Sequence, residues 1–264
     1  MPNDKNNGRK PVAYLNQDFL NSPDARAIRL LAEYLEPLAV FRRQKIRDTV
    51  VFFGSARLRE EGPLAQYYND ARTLARMITE WAAQFNNNSD GTNRFVVCSG
   101  GGPGIMEAAN RGAADAGGKT VGLNIGLPFE QLPNPYISPE LSFEFHYFFM
   151  RKLWFAYLAK ALIVFPGGFG TLDEMMEMLT LTQTQKLAKK IGIVIYGSSY
   201  WKEVINFDAL VKHGTIGAED LELFRYADDP ETAFGILKEH LLTYLQPETP
   251  ETPAISKSRH PQKA

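Results

Sequence analysis

The sequence is poor in cysteine and histidine, which limits the chemistry available to its 264 residues. Its one cysteine, Cys98, excludes an internal disulfide and a cysteine-rich metal site. Cys98 ends the apolar run 95–98, a pattern typical of a small core residue. His146 has no partner histidine at metal-ligand spacing. We therefore predict no metal site and a reducing compartment.

The chain also lacks a charge imbalance and a long apolar run. Its 29 basic and 30 acidic residues leave a formal net charge of −1, too small to attract nucleic acid or an anionic membrane. The polar segment 1–11 contains no apolar stretch typical of a signal sequence, and no segment approaches the length of a membrane span. These absences predict a cytoplasmic protein whose partner is a small molecule, not a nucleic acid or a membrane.

Apolar runs alternate with helical patterns from residue 49 onward. The sequence predicts strands over 49–54, 94–98, 120–125, 143–145, 162–165 and 191–196. Helices are predicted between the strands, including 172–186, and a further helix is predicted over 200–211. Near-continuously apolar strands separated by helices are typical of a parallel sheet that is covered on both faces. We predict an α/β, Rossmann-like doubly wound fold with a mostly parallel sheet.

The ends of the chain differ from its middle in composition. We predict a single domain over residues 21–245, a flexible N-terminus over 1–20 and a disordered tail over 246–264, which is rich in proline and charge. Ser22-Pro23-Asp24 is a typical helix start, and an N-terminal helix is predicted there because apolar residues follow at helical spacing. These residues are Ile28, Leu31, Leu35 and Leu38.

Three glycine-rich turns follow predicted strands, at residues 54–57, 99–104 and 166–171. The carboxyl ends of parallel strands meet at one edge, where ligands of such sheets bind, so we predict that the turns frame one crevice. The dinucleotide pattern G-x-G-x-x-G would require glycine at Ile105, and no Walker sequence occurs. The sequence therefore argues against a dinucleotide cofactor or an ATPase, and we predict no cofactor.

The third turn has the features of an anion site. Gly167, Gly168 and Gly170 lack Cβ atoms, so their amides can approach a phosphate closely, and the following helix directs its positive end at the same place. Amides alone suffice to hold a phosphate, so the nearby carboxylate of Glu174 suggests chemistry on a bound nucleotide. Thr171 and Glu174 also match a capping box, which would make Glu174 a helix cap. Both interpretations stay open.

Two adjacent cations lie at the start of another predicted helix, where the macrodipole disfavours positive charge. For Arg151, this placement suggests an anionic partner. For Lys152 we favour the ordinary explanation, a cation on the solvated face of an aromatic-rich helix.

Three motifs in this order resemble the Lonely Guy (LOG) family over roughly residues 49–196. They are the glycine triplet followed by Pro103-Gly104-Ile105-Met106-Glu107, the Arg151-Lys152 pair, and the segment 166–174. The resemblance implies a dimeric Rossmann-like protein that hydrolyses cytokinin riboside 5'-monophosphates or AMP. The chain differs from shorter family members at Phe148-Phe149-Met150, where those members often carry Met-His-x. Its longer N-terminal and C-terminal regions resemble those of the longer subgroup. Some members were labelled lysine decarboxylases, but no lysine here is marked for a Schiff base.

The resemblance also implies roles for particular residues. Arg151 and Glu174 match the catalytic pair of the family. The phosphate-binding turn is matched by Gly167, Gly168, Gly170 and Thr171, and the other family site motifs contain Ser55, Gly101, Gly102 and Glu107.

We therefore predict hydrolysis of the N-glycosidic bond of a purine nucleoside 5'-monophosphate to free base and ribose 5-phosphate. The predicted assembly is a homodimer or a higher homo-oligomer. Glu174 would stabilise an oxocarbenium-like transition state or orient the attacking water. The alternative is a nucleotide-binding or carrier protein of the same fold that lacks catalysis. Glu174 distinguishes the two, because a carrier needs only the glycine amides.

Overall fold

The apolar runs of the chain form the strands of one seven-stranded sheet. The computed structural model describes residues 10–86, 91–126, 132–187 and 189–245. The strands are β1 (Thr49–Phe53), β2 (Val96–Ser99), β3 (Thr120–Ile125), β4 (Ser142–Phe145), β5 (Ala159–Val164), β6 (Gly192–Tyr196) and β7 (Arg225–Ala227). They lie in the order β4-β3-β2-β1-β5-β6-β7, and every neighbouring pair is parallel. The predicted α/β Rossmann-like fold is confirmed.

Helices occupy most of the connections between the strands. They are α1 (Gln17–Leu20), α2 (Arg26–Arg43), α3 (Ala65–Asn86), α4 (Ile105–Asp115), α5 (Phe148–Leu158), α6 (Phe169–Gln183), α7 (Ser198–Val204), α8 (Phe207–Lys212) and α9 (Pro230–Leu242). Short 3-10 segments cover Ala13–Leu15, Pro23–Ala25, Pro139–Leu141 and Ala218–Leu223. In the described ranges, no helix has the length and apolar content required to cross a membrane.

The winding of the chain creates a crevice at the centre of the sheet. From β1 the chain proceeds outward through β2, β3 and β4, and α5 then returns it to place β5 on the other side of β1. The strand order therefore reverses between β1 and β5, which is the topological switch point where ligands bind in open parallel sheets. The turns that follow β1 and β5 flank this point.

Side chains of the strands alternate between two hydrophobic cores, one on each face of the sheet. In β1, Val51 and Phe53 enter the core beneath α2, α5, α6, α7 and α8. Val50 and Phe52 enter the opposite core, beneath α3, α4 and α9. This alternation is the period-2 pattern of a strand buried on both faces, and it confirms that helices cover both sides.

Some helix boundaries differ from those predicted. The helix α6 begins at Phe169, three residues before the predicted start at Leu172, because part of the glycine turn already has helical conformation. The helix predicted over 200–211 is two helices, since Ile205 is extended and Asn206 caps α8 by accepting a hydrogen bond from the Ala209 amide at 2.9 Å. The short strand β7 was not predicted because it contains no apolar run.

The predicted division of the chain into a domain and two ends stays a prediction. Within the segment predicted to be flexible, residues 13–15 form a 3-10 turn and residues 17–20 form α1. Residues 1–9 and the predicted tail over 246–264 lie outside the described residues.

Candidate active site

The three glycine-rich turns pack against one another at the carboxyl ends of β1, β2 and β5. The Ser55 amide donates to the Pro166 carbonyl at 3.0 Å, and the Ser55 carbonyl accepts from the Ile105 amide at 3.1 Å. Gly104, at φ +71°, passes so close that a Cβ there would lie 2.3 Å from the Ser55 carbonyl oxygen. Ser55 therefore joins the other two turns through its backbone, while its Oγ accepts from the Arg57 amide at 3.0 Å.

The turn that follows β5 has one packed glycine and two open ones. A Cβ at Gly167 would lie 2.1 Å from Thr171 Oγ1, so a side chain there would displace the buried threonine. A Cβ at Gly168 or Gly170 would meet nothing within 4 Å. The first amides of α6 have no partner inside the helix, so this open space is bordered by free backbone donors and the positive end of a helix dipole.

Glu174 does not cap this helix. Gly168 is the N-cap residue of α6, which makes Thr171 the third residue of the helix and places Glu174 one turn further along. A capping box requires its threonine at the N-cap position, so the capping interpretation of these two residues is wrong. The side chain of Glu174 is 7% exposed and is directed inward.

Glu174 meets Arg151 across the space between α6 and α5. Arg151 Nη2 lies 3.4 Å from Glu174 Oε1, and the arginine side chain is 14% exposed. The Nε atom of Arg151 is buried and finds no hydrogen-bond partner among the described residues. Its guanidinium lies 5.3 Å from the ring of Phe148 and 5.5 Å from that of Phe155. Arg151 thus has a free buried donor, which is rare unless a ligand or water satisfies it.

Burial shifts the pKa of both members of this pair. It raises the pKa of Glu174 to about 7, with the positive charges of Arg151 and Lys152 opposing the shift. It lowers the pKa of Arg151, and there the negative charge of Glu174 opposes the shift. A carboxyl group with a pKa near 7 is suited to accept or donate a proton at neutral pH.

Lys152 is not on a solvated face, so that prediction is wrong. Its Nζ pairs with Asp173 at 2.8 Å and with Glu177 at 3.3 Å, and the side chain is 17% exposed. Burial works to lower the pKa of Lys152, but the hydrogen bonds to the two carboxylates outweigh it and the pKa is raised. The sequence did not predict this pairing because Lys152 lies on α5 and both carboxylates lie on α6.

The turn that follows β2 is held by a buried polar network. Gly101 has φ +75° and a Cβ there would lie 2.2 Å from Asn124 Oδ1. Asn134 Nδ2 donates to the carbonyls of Gly101 and Gly102 at 3.0 and 3.1 Å. The neighbouring Gly100 faces the catalytic candidates, since a Cβ there would lie 3.8 Å from Arg151 Nη1. The network therefore shapes one wall around Arg151.

Sequence reasoning missed the other members of this network. Ser99 Oγ donates to Asn110 Oδ1 at 2.6 Å, and Asn110 Nδ2 donates to Thr120 Oγ1 at 2.5 Å. Asn134 Nδ2 also donates to Asn110 Oδ1, at 2.9 Å. The available signal was a polar Asn110 among the small apolar residues of α4, which is unusual on a buried helix face.

Glu107 lies at the edge of this arrangement. Its Oε1 accepts a hydrogen bond from the Tyr68 hydroxyl of α3 at 2.9 Å. Burial raises the pKa of Tyr68 to about 12, so this hydroxyl remains a donor. The structure records no hydrogen bond or ion pair from Glu107 to Arg151 or Glu174, although all three are described. In the part of the chain that is described, no three histidine, cysteine, aspartate or glutamate side chains converge in a way that could hold a metal ion.

An exposed apolar surface extends over α2, α5 and α6 beside the site. Its members are Ile28, Leu31 and Leu35 of α2, Phe148, Phe149, Leu153 and Tyr157 of α5, and Phe169 and Met176 of α6. Phe169 is 93% exposed and lines a groove of about 520 Å³ together with Lys152 of α5 and further residues of α6. The apolar residues predicted for the N-terminal helix therefore face outward on α2 at three of four positions.

Comparison with known proteins identifies the family. The model of a family described as "possible lysine decarboxylase" matches residues 106–237, which is half of the chain. The chain belongs to this family. Its curated relatives carry the name LOG, which confirms the resemblance found in the sequence.

Two LOG relatives illustrate the degree of similarity. The chain is 28% identical over 181 residues to the cytokinin riboside 5'-monophosphate phosphoribohydrolase LOG of Oryza sativa subsp. japonica, covering 68% of this chain and 67% of the relative. It is 23% identical over 201 residues to LOG2 of Arabidopsis thaliana, a protein of the same description, covering 75% and 86%.

Solved structures are similar to this chain at lower identity. The structural-genomics target TM1055 has 20% identity, a TM-score of 0.50, and coverage of 73% of this chain and 99% of its own. A Moco carrier protein from Chlamydomonas reinhardtii also has 20% identity, with a TM-score of 0.48 and coverage of 75% and 99%. The similarity to TM1055 shows the fold alone, and the similarity to the carrier protein carries no argument.

Proposed function

We propose that this LOG family member hydrolyses the N-glycosidic bond of a purine nucleoside 5'-monophosphate, such as AMP or its N6-prenylated analogue. The products are free base and ribose 5-phosphate. The observation that carries the proposal is the buried pair of Arg151 and Glu174. Glu174 lies on α6, one helical turn beyond the glycine turn and its free amides. The names of the relatives support the reaction class, and the identity of 23–28% leaves the preferred base to experiment.

The 5'-phosphate anchors the substrate in this proposal. The amides around Gly168 and Gly170 border an open space at the start of α6, where backbone donors and the helix dipole favour an anion. Binding a part of the substrate that does not react fixes the position of the ribose C1' atom relative to Glu174. Such positioning lowers the barrier of the reacting step.

Glu174 acts at the sugar as a carboxylate. The water oxygen attacks C1' as the C1'–N9 bond breaks, and Glu174 accepts the proton that the water loses. The same negative charge stabilises the oxocarbenium-like transition state. The pKa of about 7 makes the group basic enough to take this proton while part of it is ionised at neutral pH.

Arg151 stabilises the departing base. The purine leaves with the electron pair of the broken bond and takes up a proton from solvent, so negative charge develops on its ring before protonation is complete. The unpartnered Nε of Arg151 is a buried donor available for this charge or for the substrate itself. A carrier requires neither this donor nor the buried carboxylate, so the pair favours hydrolysis over carriage.

Lysine decarboxylation is not the function that these residues support. A pyridoxal enzyme requires a lysine that can lose its proton and form a Schiff base. Lys152, the lysine nearest to the pair along the chain, is engaged by Asp173 and Glu177, and its pKa is raised. Both effects hold it as an ammonium ion.

We further propose that the protein forms a homodimer through the apolar surface of α2, α5 and α6, and that it acts in the cytoplasm. Apolar patches of this kind mark contact sites between protein chains. A second copy of this chain is the simplest partner, because the two subunits of a two-fold dimer contact each other through the same surface. The free, fully buried Cys98 supports a reducing compartment.

Chromatographic product analysis tests the proposed reaction. Purified protein is incubated with AMP and, separately, with N6-isopentenyladenosine monophosphate, beside the Glu174→Ala and Arg151→Ala variants. We expect free base and ribose 5-phosphate from the wild type, at rates that rank the two substrates, and loss of turnover in both variants. Full activity in either variant contradicts the assigned roles. Bound but unchanged nucleotide in the wild type establishes the carrier instead.

A further inference from the structure

Two consecutive carbonyl groups of the glycine turn accept hydrogen bonds from outside the turn. The Pro166 carbonyl accepts from the Ser55 amide at 3.0 Å. The Gly167 carbonyl accepts from the hydroxyl of Tyr200, on α7, at 2.9 Å. Tyr200 belongs to none of the motifs that the sequence analysis assigned to the site.

These two bonds fix the directions of the next two amides. In a trans peptide the carbonyl of one residue and the N–H of the next point in opposite directions. Because the Pro166 carbonyl points at Ser55, the Gly167 N–H points away from Ser55. Because the Gly167 carbonyl points at Tyr200, the Gly168 N–H points away from Tyr200. Gly168 borders open space, since a Cβ there would meet nothing within 4 Å. The Gly168 N–H directly precedes the first amides of α6, which have no partner inside the helix and favour an anion.

Tyr200 is itself held in place. It is half-buried and its ring packs edge-on against that of Trp201, with the centroids 5.1 Å apart. Trp201 is fully buried, and its Nε1 donates to the Val164 carbonyl at the end of β5, at 3.2 Å. Trp201 therefore anchors Tyr200 to β5, the strand that directly precedes the glycine turn.

We propose that Tyr200 is a positioning residue that aims the Gly168 amide at the phosphate of the substrate. The proposal rests on the proposed function, because it assigns the turn to the 5'-phosphate. Tyr200 does not touch the substrate and acts through the Gly167–Gly168 peptide. Its removal weakens the binding of ligands that carry the phosphate and leaves the binding of ligands without it unchanged.

The variant Tyr200→Phe removes the hydroxyl and keeps the ring. The matched control is Tyr226→Phe, which removes a hydroxyl from β7, a strand separated by β6 from the strand that precedes the turn. Affinities for ribose 5-phosphate and for adenosine are measured by calorimetric titration, and KM and kcat are measured with AMP. We expect roughly three- to tenfold weaker ribose 5-phosphate binding in Tyr200→Phe, the loss of about one hydrogen bond. We expect KM to rise by the same factor, while kcat and adenosine affinity stay constant.

The ratio of the ribose 5-phosphate affinity to the adenosine affinity does not depend on the stability of the variant. Both ligands bind the same folded molecules, so a smaller folded fraction weakens both affinities equally. Equal weakening of ribose 5-phosphate and adenosine binding would show a merely structural role and overturn the proposal. Unchanged ribose 5-phosphate affinity would overturn it as well. If the wild type binds ribose 5-phosphate without cleaving AMP, the proposed hydrolysis fails, and the affinity ratio of the variant still decides the role of Tyr200.

Discussion

Replacing Glu174 by glutamine separates the proton chemistry of the site from its shape. Glutamine occupies the same volume but carries no charge and cannot exchange a proton at neutral pH. The carboxylate lies 3.4 Å from Arg151 and its side chain is 7% exposed. The substitution therefore removes one reactive group from a buried pair while the packing around it is retained.

The structure sets the size and the pH dependence of the effect. A positioned acid–base group contributes roughly 100- to 10,000-fold to a rate, so kcat/KM of Glu174→Gln with AMP is expected to fall within that range. Because burial raises the pKa of Glu174 to about 7, wild-type kcat/KM is expected to rise about tenfold per pH unit below 7 and to level off above it. The variant lacks this ascending limb.

The assay follows free base released from AMP between pH 5 and pH 9. Glu177→Gln is the matched control, since Glu177 lies on the same helix, is 36% exposed and pairs with Lys152. The phosphate of AMP loses its second proton near pH 6, so a shallow limb there belongs to the substrate and persists in all variants. Wild-type activity in Glu174→Gln, or a limb near pH 7 that survives the substitution, would refute the reasoning.

The same pKa predicts how stability responds to pH. Folding raises the pKa of Glu174 from 4.5 to about 7, so between these values the folded protein binds more protons than the unfolded chain. This contribution is fully present below pH 4.5 and is lost as pH rises through 7, by on the order of 3 kcal/mol. Relative to Glu174→Gln, the wild type should lose unfolding free energy across that window in denaturant titrations. A constant difference would contradict the assigned pKa.

Three further substitutions test the rest of the arrangement. Arg151→Lys keeps the charge but loses the planar donor group, so kcat/KM with AMP should fall at least about tenfold, and an unchanged rate would contradict its role. Gly101→Ala should destabilise the fold by more than Gly214→Ala. Both glycines have a positive φ, which costs an alanine about 1–3 kcal/mol. Only the new methyl group at Gly101 would also clash with a side chain, that of Asn124. Equal losses in denaturant titrations would exclude the clash. Leu153→Glu should convert the proposed dimer to a monomer in light scattering, and an unchanged mass would remove α5 from the interface.

Local chemistry made much of this protein predictable from its sequence. The apolar runs identified the strands in the central part of the sheet, because a strand buried on both faces has to be apolar along its length. The glycines at 167, 168 and 170 predicted an anion site, since close approach of a backbone to a ligand requires the absence of Cβ. The resemblance to the LOG family was carried by short contiguous motifs, and the family match confirms it.

Contacts between distant segments were decided only by the tertiary structure. The burial of Glu174 against Arg151, the ion pairs of Lys152 and the bond from Tyr200 to Gly167 each join residues on different helices or turns. Sequence spacing determines which residues share a helix, but not which helix packs opposite them. A pKa depends on the desolvation that this packing produces. The sequence by itself determined most of the strands and the glycine turn that we propose binds phosphate, whereas the packing of α5, α6 and α7 over the sheet decided the chemistry of the pair.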